Sequence, residues 1–235
     1  GLLAGRNSTR VCIYNWIPGN QPMHLRNEEI TIAEMLKRAD YQTAHFGKWH
    51  LTSEGMNQPL PRDQGFDYSF FTYNNAKPSH RNPVNFIRNG EAVGEMEGYS
   101  CQLVVDEAMQ WLETNRGEQP FYINIWFHEP HVPLAAPDTI KARHAYRPKY
   151  YGAIENMDAA VGRLMAYLEE LQLVDNTIIM FSSDNGSQEV ASNDPLRGEK
   201  CFNYEGGVRG PFIMKIPGQK KTDLVTEVIA AFRDR

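Results

Sequence analysis

The chain has 235 residues, of which 41% are hydrophobic, and a formal net charge of −5 at pH 7. This length and apolar content favour a single large domain with a sizeable core. The acidic balance and the absence of a long basic run argue against nucleic-acid binding, and no apolar run approaches the roughly 20 residues of a membrane span. Three widely spaced cysteines indicate neither a disulfide framework nor a zinc site and leave the redox compartment open.

The first half of the chain predicts one helix and two extended segments. The helix is predicted over residues 28–39, because a Thr-x-x-Glu capping box is combined there with an apolar stripe. A strand is predicted over residues 42–46 and a further extended piece over residues 68–73. Residues 74–98 are rich in Asn, Pro and Gly and have little periodicity, so they are predicted to form a long surface excursion.

The second half alternates between helices and strands. Helices are predicted over residues 99–115 and 147–171, where apolar residues recur at helical spacing. The near-continuous apolar run at residues 121–127 is typical of a strand buried on both faces of a parallel sheet. Residues 177–181 predict another buried strand, and residues 212–216 predict a further strand. This alternation indicates an α/β fold with a mostly parallel central sheet flanked by helices.

Polar side chains follow three of the predicted strands. Lys48 and His50 follow the first strand, and His131 follows another. Asp184 and Asn185 follow a third. Because ligands gather at the carboxyl ends of strands in such sheets, we expect these residues to share one site.

The pair Lys48 and His50 suggests a specific chemistry. On an extended backbone, side chains at i and i+2 point to one face, so a cation and an imidazole are expected to project together. That combination suits an anion held for acid–base chemistry. Asp184 and Asn185 follow an apolar strand and precede Gly186, and their oxygen side chains suit a hard cation.

Three sequence blocks together resemble the sulfatase family. Residues 41–50 read Tyr-Gln-Thr-Ala-His-Phe-Gly-Lys-Trp-His, and residues 182–186 read Ser-Ser-Asp-Asn-Gly. Residues 196–200 read Leu-Arg-Gly-Glu-Lys and run into Tyr-Glu-Gly-Gly-Val-Arg at residues 204–209. The blocks occur in the family's order, and the resemblance extends over nearly the whole chain, fading after about Gln219. It implies the alkaline-phosphatase-like α/β fold of the sulfatase catalytic domain.

The resemblance implies four catalytic residues. Lys48 and Lys200 correspond to the lysines that contact the sulfate, and Lys200 also corresponds to the lysine on the scissile oxygen. His131 corresponds to the sulfate-side histidine, a candidate general acid on the leaving oxygen, and His50 to the base that regenerates the nucleophile. From position alone, the loop over residues 74–88, which contains His80 among other basic residues, is expected to shape the leaving-group pocket.

The resemblance also implies two groups that this chain supplies only in part. Asp184 and Asn185 correspond to ligands of one Ca²⁺ ion, with the remaining ligands expected upstream of Gly1. Sulfatases use a formylglycine made by a formylglycine-generating enzyme from Cys or Ser in Cys/Ser-x-Pro-x-Arg. None of the chain's cysteines has Pro and Arg at those offsets. We therefore interpret residues 1–235 as a partial sulfatase catalytic domain, inactive alone, from a parent that hydrolyses sulfate esters.

Two other functions are compatible with the same residues. One is a metal-dependent phosphatase or phosphodiesterase of the same superfamily, although the His-poor segment around Asp184 and Asn185 disfavours it. The other is a non-catalytic protein that binds sulfate or carbohydrate. The expected substrate is a sulfated small molecule or carbohydrate, and the resemblance suggests a secreted, periplasmic or lysosomal protein.

Overall fold

The computed structural model describes residues 1–117, 119–188 and 193–218. The chain divides into two compact units, Gly1–Leu164 and Met165–Arg235. In the described part of the chain, no helix combines the length and the apolar character that crossing a bilayer requires.

The first unit is built on a five-stranded sheet. The strands are β1 Gln42–Lys48, β2 Tyr68–Thr72, β3 Ile87–Arg88, β4 Glu91–Ala92 and β5 Phe121–Trp126. The order across the sheet is β4-β3-β2-β1-β5. Strand β1 pairs in parallel with both β2 and β5, whereas the hairpin of β3 and β4 extends the other side of β2 in antiparallel fashion. The three long strands are therefore parallel, as the sequence predicted.

Helices connect and cover these strands, and the bounds of the two long helices follow the sequence signals closely. The two long predicted helices are present. The helix predicted over residues 99–115 starts one residue later, and the helix predicted over residues 147–171 is one residue shorter at each end. A short 3-10 helix, Pro61–Gln64, lies before β2. The helices are α1 Ile32–Arg38, α2 Ser100–Asn115, α3 Asp138–Lys141 and α4 Pro148–Glu170, the last of which contributes residues to both units.

Helix α1 begins later than predicted because its capping box fixes the start. The Thr31 hydroxyl accepts a hydrogen bond from the Glu34 backbone N–H at 3.1 Å, and the Glu34 carboxylate accepts one from the Thr31 N–H at 2.8 Å. Thr31 is therefore the N-cap and keeps an extended backbone, so residues 28–31 lie outside the helix.

The sheet carries helices on both faces. His45 and Trp49 point to one face, where their rings contact Phe66 in the core that also contains residues of α1. Phe46 points to the opposite face and contacts Trp111 of α2. Successive strand residues alternate between faces, so the buried pattern of β1 places helices above and below it.

Two predictions for the first unit are wrong. Residues 74–98 are not a simple surface excursion, because they contain β3, β4 and the buried side chains of Ala76, His80 and Phe86. Strand β5 is not buried on both faces, since only Asn124 is buried and the other strand residues are partly exposed. Strand β5 is the last strand of its sheet in the described chain, which explains the remaining exposure.

The second unit contains a two-stranded antiparallel sheet of β6 Ile179–Ser182 and β7 Phe212–Lys215. Its first strand is predominantly exposed, and Met180, for example, is 52% exposed. The prediction of a buried strand there is therefore wrong. Strand β6 is paired with a single neighbour in the described residues, so its other edge is unpaired there. The elements are a 3-10 helix Val174–Asn176, β6 Ile179–Ser182, α5 Glu205–Val208 and β7 Phe212–Lys215.

Candidate functional site

The carboxyl ends of β1, β2 and β5 lie side by side. Lys48, the last residue of β1, is in register with Thr72, the last residue of β2. Gly47 is in register with Trp126, the last residue of β5. The segments that follow the three strands therefore start from one edge of the sheet, where α/β folds place their ligands.

A hydrogen-bonded chain joins two of the predicted site residues at this edge. The Lys48 Nζ donates to Asn75 Oδ1 at 3.0 Å, and Asn75 Nδ2 lies 3.1 Å from His131 Nδ1. An ammonium group only donates, so Lys48 requires the oxygen of the Asn75 amide and turns the amide nitrogen towards His131. Lys48 and His131, 83 residues apart in the chain, are thus brought together by a residue that the sequence analysis did not identify.

The His131 ring is held through its Nδ1 atom. This atom also lies 2.8 Å from the Val132 carbonyl oxygen. A neutral ring without a proton on Nδ1 accepts from the Asn75 amide, whereas a ring with that proton donates to the Val132 carbonyl. The two neighbours therefore serve different protonation states of His131.

The sequence predicted that Lys48 and His50 project together from an extended strand, and this prediction is wrong. Gly47 has φ +99°, and His50 has φ +48° in the left-handed region, so the alternation of an extended strand is interrupted on both sides of Lys48. A Cβ on Gly47 would lie 2.0 Å from the Trp126 carbonyl oxygen, so this position needs glycine for both reasons. The glycine of the motif allows β1 to approach β5 where the site begins.

His50 is held separately from Lys48. Its Nε2 donates to the Ile17 carbonyl at 2.9 Å, and its backbone N–H donates to the Tyr73 carbonyl at 2.9 Å. The Trp16 ring lies beside it, with the ring centroids 6.5 Å apart. His50 nevertheless lines the same cavity as Asn75, so the first unit brings Lys48, His50 and His131 into one neighbourhood.

Buried polar residues lie behind this edge. The Thr72 hydroxyl donates to the Asn74 carbonyl at 2.6 Å and accepts from His128 Nε2 at 2.7 Å. Burial lowers the pKa of His128 well below its usual value, and the charges of His80 and Lys48 lower it further. His128 is therefore a neutral structural residue at pH 7, and it fixes the start of the Asn75 loop through Thr72.

His80, in the loop over residues 74–88, is buried, and the expectation that this loop shapes the leaving-group pocket stays a prediction. Its Nδ1 lies 3.7 Å from a carboxylate oxygen of Glu129. That oxygen accepts from the Ser100 hydroxyl at 2.5 Å and from the Cys101 backbone N–H at 3.1 Å. Burial lowers the pKa of His80, and the Glu129 charge opposes this effect only partly. Glu129 thus joins the start of α2 to the loop that carries His131.

The second unit contains the other predicted residues. Asp184 and Asn185 form a turn directly after β6, and Asp184 is exposed while Asn185 is half-buried. The Lys200 backbone N–H donates to the Ser187 carbonyl at 3.1 Å, two residues beyond Asn185. This backbone hydrogen bond places Lys200 next to the turn that contains Asp184 and Asn185. Their predicted placement in one site with Lys48 stays a prediction.

Asn193 is a further residue that the sequence analysis did not identify. It is 8% exposed, and its Oδ1 accepts from the Ser187 N–H at 2.9 Å. Its Nδ2 donates to the Ser187 carbonyl at 2.7 Å and to the Gly198 carbonyl at 3.2 Å. Both sides of the amide are used, so Asn193 ties the segment after Asn185 to the segment before Lys200.

Glycines allow these segments to pack backbone against backbone. A Cβ on Gly186 would lie 1.8 Å from the Gly206 carbonyl oxygen, and one on Gly206 would lie 2.2 Å from the Gly198 carbonyl oxygen. No side chain fits at such distances. The glycines of the Asp-Asn-Gly and Glu-Gly-Gly motifs therefore hold the turn, the lysine segment and α5 close together.

The donor set at Asp184 and Asn185 fits a hard cation. Neither side chain forms a hydrogen bond or an ion pair with a residue that the structure describes, so the carboxylate oxygens of Asp184 and the amide oxygen of Asn185 remain for a metal ion. Calcium binds six to eight oxygen ligands in proteins, so these two would be only part of a complete site. Within residues 1–117, 119–188 and 193–218, no group of three or more His, Cys, Asp or Glu side chains could hold a metal by itself.

Two of the cavities formed by the described residues of the first unit lie at opposite ends of its strands. A cavity of about 240 Å³ adjoins His50 and Asn75. A larger cavity of about 830 Å³ lies at the opposite end of the strands, beside Gln42 and Tyr68. Its polar groups largely pair with each other, as where Arg88 donates two hydrogen bonds to Glu107. The smaller cavity is the one that adjoins the candidate site.

Comparison with known proteins identifies the family. A family model described as Sulfatase matches residues 1–234. The chain therefore belongs to the sulfatase family. An ulvan-active sulfatase of Formosa agariphila is 29% identical over 230 residues, which cover 87% of this chain and 44% of that protein. The N-acetylgalactosamine-6-sulfatase of Mus musculus is 30% identical over 234 residues, covering 88% of this chain and 44% of that protein. The chain thus spans less than half the length of these relatives.

Solved structures confirm the fold. Ps i-CgsB, in complex with k-i-k-neocarrahexaose, has a TM-score of 0.82 at 24% identity and is covered over 54% of its chain, with 92% of this chain aligned. The PsFucS1 sulfatase from Pseudoalteromonas sp. has a TM-score of 0.75 at 24% identity, with 92% of this chain and 51% of that chain aligned. The predicted α/β fold class, with mostly parallel strands flanked by helices as in alkaline-phosphatase-like sulfatases, is confirmed.

Proposed function

We propose that the whole protein to which this chain belongs hydrolyses sulfate esters of carbohydrates. Membership of the sulfatase family supports the reaction class. The names of two relatives, an ulvan-active sulfatase and an N-acetylgalactosamine-6-sulfatase, support a sulfated sugar as the substrate. A structural neighbour in complex with a neocarrahexaose supports the same substrate class.

The observation that carries the proposal is the pair of hydrogen bonds that links Lys48 through Asn75 to His131. It holds a cation beside an imidazole at the carboxyl ends of parallel strands. Cleavage of a sulfate ester requires positive charge on the sulfate and a proton for the leaving oxygen. Lys48 supplies the charge. His131 acts as the imidazolium. Its Nδ1–H donates a hydrogen bond to the Val132 carbonyl, and its Nε2–H gives its proton to the leaving oxygen.

The other roles follow the family resemblance. Lys200 is the second cation on the sulfate and contacts the scissile oxygen. His50 accepts a proton when the nucleophile is regenerated, and its hydrogen bond to the Ile17 carbonyl holds the ring in place for this step. Asp184 and Asn185 would hold part of a Ca²⁺ site, and Ca²⁺ bound there would supply a Lewis acid to the reaction.

The nucleophile comes from outside this chain in our proposal. No Cys or Ser of the chain is followed by x-Pro-x-Arg. We assign the nucleophile to a formylglycine elsewhere in the whole protein, matured by a formylglycine-generating enzyme. A secreted, periplasmic or lysosomal location stays a prediction from the family resemblance.

Paired variants of the whole protein test the assigned roles. Lys48→Ala and His131→Ala should each reduce kcat for a sulfated sugar by roughly 100-fold or more, the scale of losing one electrostatic or acid–base contributor. Lys37→Ala and His144→Ala are the matched controls. Lys37 pairs with Asp67 at the amino end of the sheet, and His144 pairs with Glu155 on the surface.

The controls should keep activity within about twofold of the wild type, since neither residue contacts the candidate site. Near-normal turnover in Lys48→Ala or His131→Ala would contradict the role of that residue. Binding of the sugar without turnover in the wild-type protein would instead support the non-catalytic alternative.

A further inference from the structure

His131 lies at the end of a tight turn that follows β5. The His131 backbone N–H donates to the His128 carbonyl at 2.9 Å, so residues 128–131 form a β-turn. His128 and Glu129 are buried, whereas His131 is partly exposed. The outer end of the turn therefore carries the proposed acid, and the buried side chains of the turn are the groups that can fix its position.

The buried carboxylate of Glu129 is bonded to the beginning of α2. Its Oε1 accepts hydrogen bonds from the Ser100 hydroxyl and from the Cys101 backbone N–H, which lies 3.1 Å away. Ser100 is the first residue of α2, and the preceding Tyr99, the N-cap, forms no capping hydrogen bond with its side chain. Glu129 thus supplies the acceptor that a capping side chain normally supplies.

This attachment is expected to be rigid. Hydrogen bonds to a carboxylate are roughly twice as strong as those between neutral groups, and the N-terminus of a helix favours negative charge. The Glu129 side chain is 1% exposed, so water does not compete for its oxygens. Its second oxygen, Oε2, has no hydrogen-bond partner in the described structure, so the attachment depends on Oε1. Helix α2 is itself packed on the sheet through the contact of Trp111 with Phe46.

A second attachment fixes the same turn to the sheet. His128 Nε2 lies 2.7 Å from the Thr72 hydroxyl at the end of β2. Thr72 is in register with Lys48, the proposed cation on the sulfate. Two neighbouring residues of the turn therefore set the position of His131 relative to Lys48, one through β2 and the other through α2.

We infer that Glu129 is a positioning residue, which keeps His131 within reach of the leaving oxygen by attaching the turn to α2. The inference rests on the proposed function, in which His131 protonates that oxygen. Proton transfer requires heavy atoms about 2.6–3.2 Å apart, and a displacement of about 1 Å can reduce a rate by about 100-fold. Loss of the attachment should therefore impair protonation of the leaving oxygen specifically.

Two substrates that differ in the basicity of the leaving oxygen test the inference in the whole protein. The phenolate released from phenyl sulfate is more basic than the one released from 4-nitrophenyl sulfate, so its departure depends more strongly on a general acid. Glu129→Ala should lower kcat/KM for phenyl sulfate by about tenfold or more and leave kcat/KM for 4-nitrophenyl sulfate within about threefold of the wild type. A loss of folded protein would instead lower both values by the same factor.

Three further variants separate positioning from packing. Glu129→Gln keeps an oxygen acceptor for Ser100 and Cys101, so the ratio of the two kcat/KM values should stay within about twofold of the wild type. Ser100→Ala removes one of the two hydrogen bonds and should change the ratio in the same direction as Glu129→Ala, by about threefold or more. This variant keeps the inference testable if Glu129→Ala does not fold. Glu107→Ala is the matched control, since Glu107 is a buried carboxylate of α2 that pairs with Arg88 at the opposite end of the strands, and it should leave the ratio unchanged.

Hydrogen–deuterium exchange separates this inference from the proposed function. In Glu129→Ala, the peptide that contains the His131 amide should exchange about tenfold faster than in the wild type, whereas Glu107→Ala should leave its exchange rate unchanged. If the wild type hydrolyses neither ester, the proposed function fails, and the exchange rates alone decide whether Glu129 fixes the turn. Equal exchange in the wild type and Glu129→Ala, equal kinetic losses on both esters, or an unchanged ratio in Ser100→Ala would overturn the inference.

Discussion

Replacement of Gly47 by alanine should be strongly destabilising. The added Cβ would lie 2.0 Å from the Trp126 carbonyl oxygen and 2.9 Å from its carbon, so β1 and β5 would have to separate. Strained backbone at φ +99° costs alanine about 1–3 kcal/mol, and overpacking typically costs a further 1–3 kcal/mol. The backbone oxygen belongs to the sheet and cannot rotate away as a side chain can. We therefore expect a loss of about 2–6 kcal/mol in the free energy of unfolding.

Gly90→Ala is a matched control for this experiment. Gly90 has φ +96°, almost the same as Gly47, but a Cβ there would meet no atom within 4 Å. The two variants share the backbone strain and differ in the clash. Urea unfolding can be followed by the fluorescence of Trp49 and Trp126, whose rings stack at 6.0 Å in the affected core. Gly47→Ala should be less stable than Gly90→Ala by at least about 1–3 kcal/mol. Equal losses in the two variants would refute the steric argument.

Three further predictions concern other parts of the chain. Asn193→Ala removes three hydrogen bonds to Ser187 and Gly198 and should lower the free energy of unfolding by roughly 2–4 kcal/mol, whereas the exposed control Asn176→Ala should change it little. Burial lowers the pKa of His45 to about 3, so on acidification the unfolded chain takes up a proton before the folded chain does. The free energy of unfolding should therefore fall below pH 6.5, by up to about 1.4 kcal/mol per pH unit. In His45→Phe, the slope of the free energy of unfolding against pH should be smaller by about one proton. Finally, the purified 235-residue chain should show no hydrolysis of an aryl sulfate, because it lacks the nucleophile motif, and measurable turnover by a homogeneous sample would disprove this.

Local signals in the sequence predicted most of the secondary structure. Apolar periodicity located α2 and α4, whereas α1 was predicted from residue 28 although its capping box at Thr31 places the start at Ile32. The burial of strands was harder to predict, because it depends on which neighbours cover them. Strands β5 and β6 have apolar sequences typical of a sheet interior, yet each pairs with a single strand among the described residues.

Sequence motifs identified the candidate site residues. They did not identify the partners, far away in the sequence, that position those residues. Lys48 and His131 stood out in the sequence, but their contact through Asn75 depends on the register of β1 with β2. Asn75 lies in an Asn-rich loop that carries no motif. The alternation rule failed at His50 because Gly47 and His50 both have positive φ, which the rule for extended strands does not include.

A comparison of two esters of the same alcohol tests whether the whole protein cleaves sulfate esters. Wild-type protein, produced together with a formylglycine-generating enzyme, is assayed with 4-nitrophenyl sulfate and 4-nitrophenyl phosphate at equal concentrations. We expect kcat/KM to be at least about 100-fold higher for the sulfate, the scale of one catalytic contributor, and Lys48→Ala to abolish most of this activity. A preference for the phosphate ester, or sulfate hydrolysis that is unchanged in Lys48→Ala, would contradict this expectation.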